Sequence, residues 1–201
     1  MKKLIAALIM TFAMTALGHE MEGGSTAGLF GLKPEYIHVL LNPLPVYGLA
    51  IGIATLGIGL FARNKSTRTV GLIVTFISAA SAWPVLFFGQ RGYNDLYPLL
   101  DTDSQKILDV HMDRAEHFIY FFYATAVLAI AALVASRKFQ KGYIPLATLT
   151  FLLGAASLGI GGWISRAGGE VSHSEFRSET PSADSTTQTN NNQQPNEKEK
   201  K

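Results

Sequence analysis

The sequence predicts an all-α membrane protein: an antiparallel four-helix transmembrane bundle that follows a signal peptide. Three observations carry this reading. Apolar residues make up 48% of the 201 and charged residues only 16%, and the mean hydropathy is positive at +0.20. The apolar residues collect in long runs, as they do where a bilayer is the solvent. Two of the short connections between those runs are basic, the pattern that orients membrane helices.

The chain opens on Lys2 and Lys3, followed by an apolar run over 4–17, with Ala16 and Gly18 in the small-residue positions of a signal-peptidase site. This is the layout of a secretory signal cleaved after Gly18, with an uncleaved anchor as the alternative. Residues 19–33 read as a flexible periplasmic leader and 34–177 as the transmembrane domain. From Ser178 the composition turns to Ser, Thr, Asn, Gln, Glu and Lys, which cannot bury enough apolar surface to fold. Residues 178–201 therefore read as a disordered polar tail.

Four runs, over 40–61, 70–88, 117–135 and 143–164, each cross a hydrocarbon core of about 30 Å, which takes roughly 20 helical residues. Arg63, Lys65 and Arg68 join the first two, and Arg137, Lys138 and Lys141 join the last two. Between the second and third lie Asp95, Asp101, Asp103, Asp109 and Asp113. The positive-inside rule puts the basic loops in the cytoplasm. The expected location is the bacterial inner membrane, multi-pass, with both mature termini periplasmic. Glycines at 48, 52, 57 and 59 and at 154, 159, 161 and 162 offer small faces for close helix approach. Pro84 predicts a kink in the second span.

Several chemistries are excluded. No cysteine means no disulfide, thiolate metal site, covalently attached c-type haem or iron–sulfur ligation. A net charge of +2 without a basic patch implies no nucleic-acid partner. No span carries a central ionisable residue, which argues against coupled transport. No span has a central histidine for a haem at mid-depth, and no nucleophile–base pair or HExxH motif marks an enzyme.

The chemistry that remains lies at one rim. All five histidines fall on the non-cytoplasmic side: His19 in the leader, His38 before the first span, His111 and His117 before the third, and His173 after the fourth. Thr102 or Asp103 is the expected N-cap of a helix running into the third span. There Ile107, Leu108, His111, Ala115, Phe118 and Phe122 form one apolar stripe. His111 thus faces the bundle, whereas His117 lies about 120° away at 100° per residue, one turn from Asp113. Neutral imidazole ligates haem iron, copper, zinc and non-haem iron alike. The expected ligands of a haem b or a transition metal (copper, iron or zinc) are His38, His111 and His173. His117 and Glu175 are further metal candidates, and Glu170 is a carboxylate at the same exit. His19, once freed by cleavage, offers its amine and ring to copper beside Met21, although Gly23-Gly24-Ser25 reads as plain leader.

These rim segments together resemble an uncharacterised family of bacterial four-span membrane proteins. The matching residues are His38, Asn42 and Pro45; Pro84 and Gly89; His111 and Ala115; and Gly168, Gly169, His173, Glu175 and Arg177, spread over 36–177. The family's second histidine in the first signature stands here as Pro43, for which His117 is the candidate substitute. The resemblance implies a shared fold and a shared outer-rim site, and no activity. The expected function is a membrane redox or metal-binding subunit, exchanging electrons with periplasmic electron carriers or the quinone pool. The alternative is an accessory subunit, packed against other membrane subunits, with no cofactor of its own.

Overall fold

The computed structural model describes residues 31–177, apart from Phe139. The expected signal peptide, most of the leader with His19, and the polar tail lie outside the described residues. Among the described residues six α-helices make up the bundle: α1 (Pro34–Leu41), α2 (Leu49–Phe61), α3 (Lys65–Ala80), α4 (Ala82–Leu96), α5 (Thr102–Lys138) and α6 (Gln140–Ser172). There is no strand among the described residues. A π-helical turn, Leu44–Gly48, joins α1 to α2, and Ser81 alone separates α3 from α4. The six helices thus form four long rods, Pro34–Phe61, Lys65–Leu99, Thr102–Lys138 and Gly142–Ser172, all long and apolar enough to cross a membrane. The chain is a multi-pass, antiparallel four-helix membrane bundle.

The rods are longer than the apolar runs suggested. Helix α5 has 37 residues, or roughly 55 Å at 1.5 Å per residue, against a hydrocarbon core of about 30 Å. Its first turns therefore stand clear of the core, where charged residues such as Asp109 and Asp113 are tolerated. Pro84, which has no N–H to donate, sits three residues into α4, just past the break at Ser81.

Each turn has a local cause. After α2, Arg63 takes the left-handed conformation (φ 52°). Asn64 N–H then donates to Gly59 O at 3.0 Å and Arg63 N–H to Leu60 O at 3.3 Å, which satisfies the last carbonyls in a Schellman arrangement. Asn64 at once caps α3, its side chain accepting from Thr67 N at 3.0 Å. Helix α5 is capped by Asp101 and not by Thr102 or Asp103. The Asp101 carboxylate accepts from the backbone N–H of Asp103 and of Ser104, each at 3.0 Å, and from Ser104 Oγ at 2.6 Å. With Ser104 foremost and Arg177 nearby, its carboxyl is pulled down to about 2.

Packing follows the logic of helices in lipid, where small residues sit inside and large apolar ones outside. Ala126, Ala129, Ala132 and Ala135 of α5 are buried, while Val127, Ile130 and Val134 are exposed. Helices α2 and α3 touch through glycine: a Cβ on Gly52 would lie 2.7 Å from Thr75 N, and one on Gly71 2.5 Å from Leu56 N. Gly154 is filled in the same way by Ile53, whereas Gly159 and Gly162 face open space. Between α5 and α6 the buried hydroxyls of Thr125 and Ser157 meet at 2.9 Å. At the basic end the Arg68 guanidinium lies 5.1 Å from the Tyr143 ring centre, which draws the two basic connections together.

Candidate functional site

At the opposite end a cavity of about 140 Å³ opens between the rods. Its lining is apolar, from Val39, Val46, Leu86, Leu108, Ile119 and Phe122, interrupted by Glu35, His38, Asn42, Tyr93, His111 and Ser165. An apolar concavity with a few convergent polar groups is the usual form of a ligand site.

Two imidazoles define it. His38, on α1, donates Nδ1–H to Val85 O at 2.8 Å on α4. His111, on α5, donates Nδ1–H to Ile164 O at 3.0 Å on α6. The two ring centres are 6.2 Å apart and the ring planes stand at 82°. All four rods contribute, two with a ring and two with the carbonyl that aims it. With Nδ1 committed to a carbonyl, the neutral ring keeps its lone pair on Nε2.

Glycines make room for both rings. A Cβ on Gly89 would lie 2.8 Å from His38 Nδ1, and one on Gly168 3.0 Å from His111 Cε1. Gly92 performs the same service for the backbone, since a Cβ there would lie 2.9 Å from Glu35 Cα and Glu35 N. Glu35 is thereby pressed against α4. Its Oε2 is shut off from solvent and finds no hydrogen-bond partner among the described residues, while Oε1 lies 3.9 Å from Lys33 Nζ.

Of the predicted ligands, the structure brings His38 and His111 together. His111 is 8% exposed, in keeping with the apolar stripe that placed it inside. His117 and His173 do not line the cavity. His117 bonds one turn back, Nδ1 to Asp113 O at 2.8 Å and to Asp113 Oδ1 at 3.1 Å. His173 pairs with Glu175 Oε1 at 3.0 Å and stacks on Phe176 with ring centres 4.9 Å apart. Glu175's own backbone N–H, and then His173, hold its carboxyl below the usual range. Glu170 forms an ion pair with Arg166 at 2.9 Å. Among the described residues no group of three or more His, Asp or Glu side chains stands ready to hold a metal ion.

Two features of the site escaped the sequence reading. Glu35 was legible in principle, one helical turn before His38 and so on the same face. The carbonyl partners belong to other rods and have no local signal; Gly89 and Gly168 were named through the family resemblance, but not as the clearances for the rings.

Two clasps close the histidine end. Arg177 donates Nη2–H to Ser104 Oγ at 2.7 Å and Nε–H to Glu170 O at 2.9 Å, tying the end of α6 to the first turn of α5. Tyr93 Oη donates to Asp109 Oδ1 at 2.5 Å, tying α4 to the same helix.

Comparison of the chain with protein-family models, with curated proteins and with solved structures returns no match.

Proposed function

We propose that this protein is a metal-binding membrane subunit of the redox type, in which His38 and His111 take up a transition metal ion at the histidine end of the bundle. The supporting observation is the pair of anchored rings. A metal-ligating histidine characteristically donates its other N–H to a backbone carbonyl or carboxylate, which fixes tautomer and orientation. Both rings here do so, and they do it across the bundle. Metal–nitrogen bonds of about 2.0–2.1 Å at a tetrahedral angle bring two imidazole centres to roughly 5 Å, so the rings, 6.2 Å apart, need close by only about 1 Å on an ion. The space favours an ion over a haem, because pockets for large ligands run to about 300–1,000 Å³ and this cavity has about 140 Å³.

The resemblance to the bacterial four-span family and the charge pattern belong to the same proposal. The basic turns face the cytoplasm and the histidine end faces the periplasm, within reach of periplasmic electron carriers or quinone. The chain lacks cysteine, so single cysteines introduced at Ser66 and Asp103 report this orientation through an impermeant thiol reagent. Label at Asp103 and not at Ser66 is expected; the reverse pattern overturns the orientation.

The deciding experiment is metal analysis and an absorption spectrum on protein purified in mild detergent. About one equivalent of copper, iron or zinc per chain is expected, lost in His111→Ala and in His38→Ala. Protein that stays metal-free after exposure to all three ions refutes the proposal and leaves the accessory-subunit alternative, which co-purification with other membrane subunits would then test.

A further inference from the structure

We infer that Glu35 is the third protein ligand of this cavity, giving it a two-histidine, one-carboxylate set for a divalent transition cation of the zinc or ferrous class. The inference rests on the metal-binding reading above and goes beyond it by naming a residue and a charge type. Glu35 and His38 are three residues apart on α1, a spacing that puts their Cβ atoms about 5–6 Å apart on one helix face. The His111 ring centre is 6.2 Å from that of His38, and all three side chains line the same cavity.

Electrostatics supplies the reason for a carboxylate. A dication held by two neutral imidazoles alone would carry its full charge into an apolar cavity, where an uncompensated charge is costly. One carboxylate halves that charge. The converse holds for Glu35: a carboxylate oxygen shut away from water without a partner is costly unless something positive approaches it. Lys33 lies only at the margin of ion-pair range, at 3.9 Å from the other oxygen, and is itself 69% exposed.

The three groups do not stand at common ligating distance without the ion. On this inference binding draws the three side chains together, the Glu35 carboxylate leaving Lys33 for the ion. The backbone of Glu35 need not move, because Gly92 already lets it seat against α4. Two-histidine, one-carboxylate sets leave coordination positions open for water or substrate, as in zinc hydrolases and non-haem iron enzymes.

The test is a titration of the detergent-solubilised full chain with Co²⁺, whose visible bands report coordination, alongside X-ray absorption of the zinc-loaded protein. Wild type should bind one equivalent in a mixed nitrogen and oxygen shell. Glu35→Gln should weaken binding by more than about 100-fold, beyond the range usual for outer-shell changes, and should lose the carboxylate scattering. Lys33→Ala, which removes only the ion pair, should bind at least as tightly as wild type. If Glu35→Gln binds like wild type while His111→Ala does not, the carboxylate role is refuted and the two-histidine site stands. If Lys33→Ala reproduces the loss, Glu35 acts through its pair with Lys33 and the inference also fails. If wild type binds no ion, both readings fall together.

Discussion

Replacing Gly89 by alanine probes the anchoring of His38 without touching the ring itself. The added Cβ would lie 2.8 Å from Nδ1 and 3.0 Å from Cε1, whereas ordinary contact begins near 3.4 Å. The ring must therefore retreat by about 0.6 Å. Val85, whose carbonyl holds Nδ1 at 2.8 Å, sits one turn before Gly89 on the same face of α4, so retreat from one is retreat from the other. The bond stretches beyond the usual 2.7–3.2 Å, at a cost of about 0.5–1.5 kcal/mol. Alanine in a helix interior returns about 0.8–1.0 kcal/mol relative to glycine. Overall stability should hence change by less than about 1 kcal/mol. Metal affinity should nonetheless fall by about 10–100-fold, the usual effect of losing an outer-shell partner, equivalent to about 1.4–2.7 kcal/mol. Metal titration beside a denaturation curve in detergent separates the two effects. Gly159→Ala, which meets nothing within 4 Å, is the control. A folded Gly89→Ala protein with wild-type affinity would refute the claim that the Val85 bond aims the ring.

Gly168→Ala places its Cβ 3.0 Å from His111 Cε1, a milder conflict, and should reduce affinity less than Gly89→Ala in the same titration. Gly71→Ala meets the backbone of Leu56 at 2.5 Å, so α2 and α3 must part; a loss of about 1–3 kcal/mol is expected in bilayer-mimetic unfolding. Thr125→Val removes the 2.9 Å bond to Ser157 and should cost about 0.6 kcal/mol, the average for such bonds in membrane helices. Asp101, with its carboxyl lowered to about 2, stabilises the start of α5 fully above its ordinary value of 3.8 and loses that contribution as pH falls toward about 2. Protection of the first-turn amides of α5, measured as exchange relative to the intrinsic rate at each pH, should fall across that window in wild type, and in Asp101→Asn this change in protection should be absent.

The rods were legible because each carries its own signal, an apolar run bounded by charge, and the break beside Pro84 follows from one missing donor. His111 was legible for the same reason, since its neighbours at helical spacing fix which way it points. His117 and its bond to Asp113 need only one turn of helix. Pairing His38 with His111 is different: it depends on how α1 leans on α4, which small residues at 89, 92 and 168 permit from two other rods. His173 was grouped with the others by topology and by the family resemblance, with no helical stripe to fix its direction. Topology gives the end of the bundle and not the side of the helix. The cap at Asp101 was misplaced by one or two residues, because Asp101, Thr102 and Asp103 are all good caps and only Ser104, held in turn by Arg177, distinguishes them.

The π-helical turn Leu44–Gly48 makes the first rod a shaft with a built-in offset. Such a turn is in effect one residue added to an α-helix, and one residue is worth about 100° of rotation. Below it, contacts such as Gly52 on Thr75 lock the angular setting of α2; above it, Gly92 on Glu35 locks that of α1. The two settings are thus independent, and the surplus residue absorbs the mismatch between them. Removing a single residue from this stretch would let the rod run straight and would swing Glu35 and His38 together to a different bearing, leaving His111 to face an empty wall. The histidine pair is in this sense a matter of counting: its alignment depends on the number of residues between the two locks.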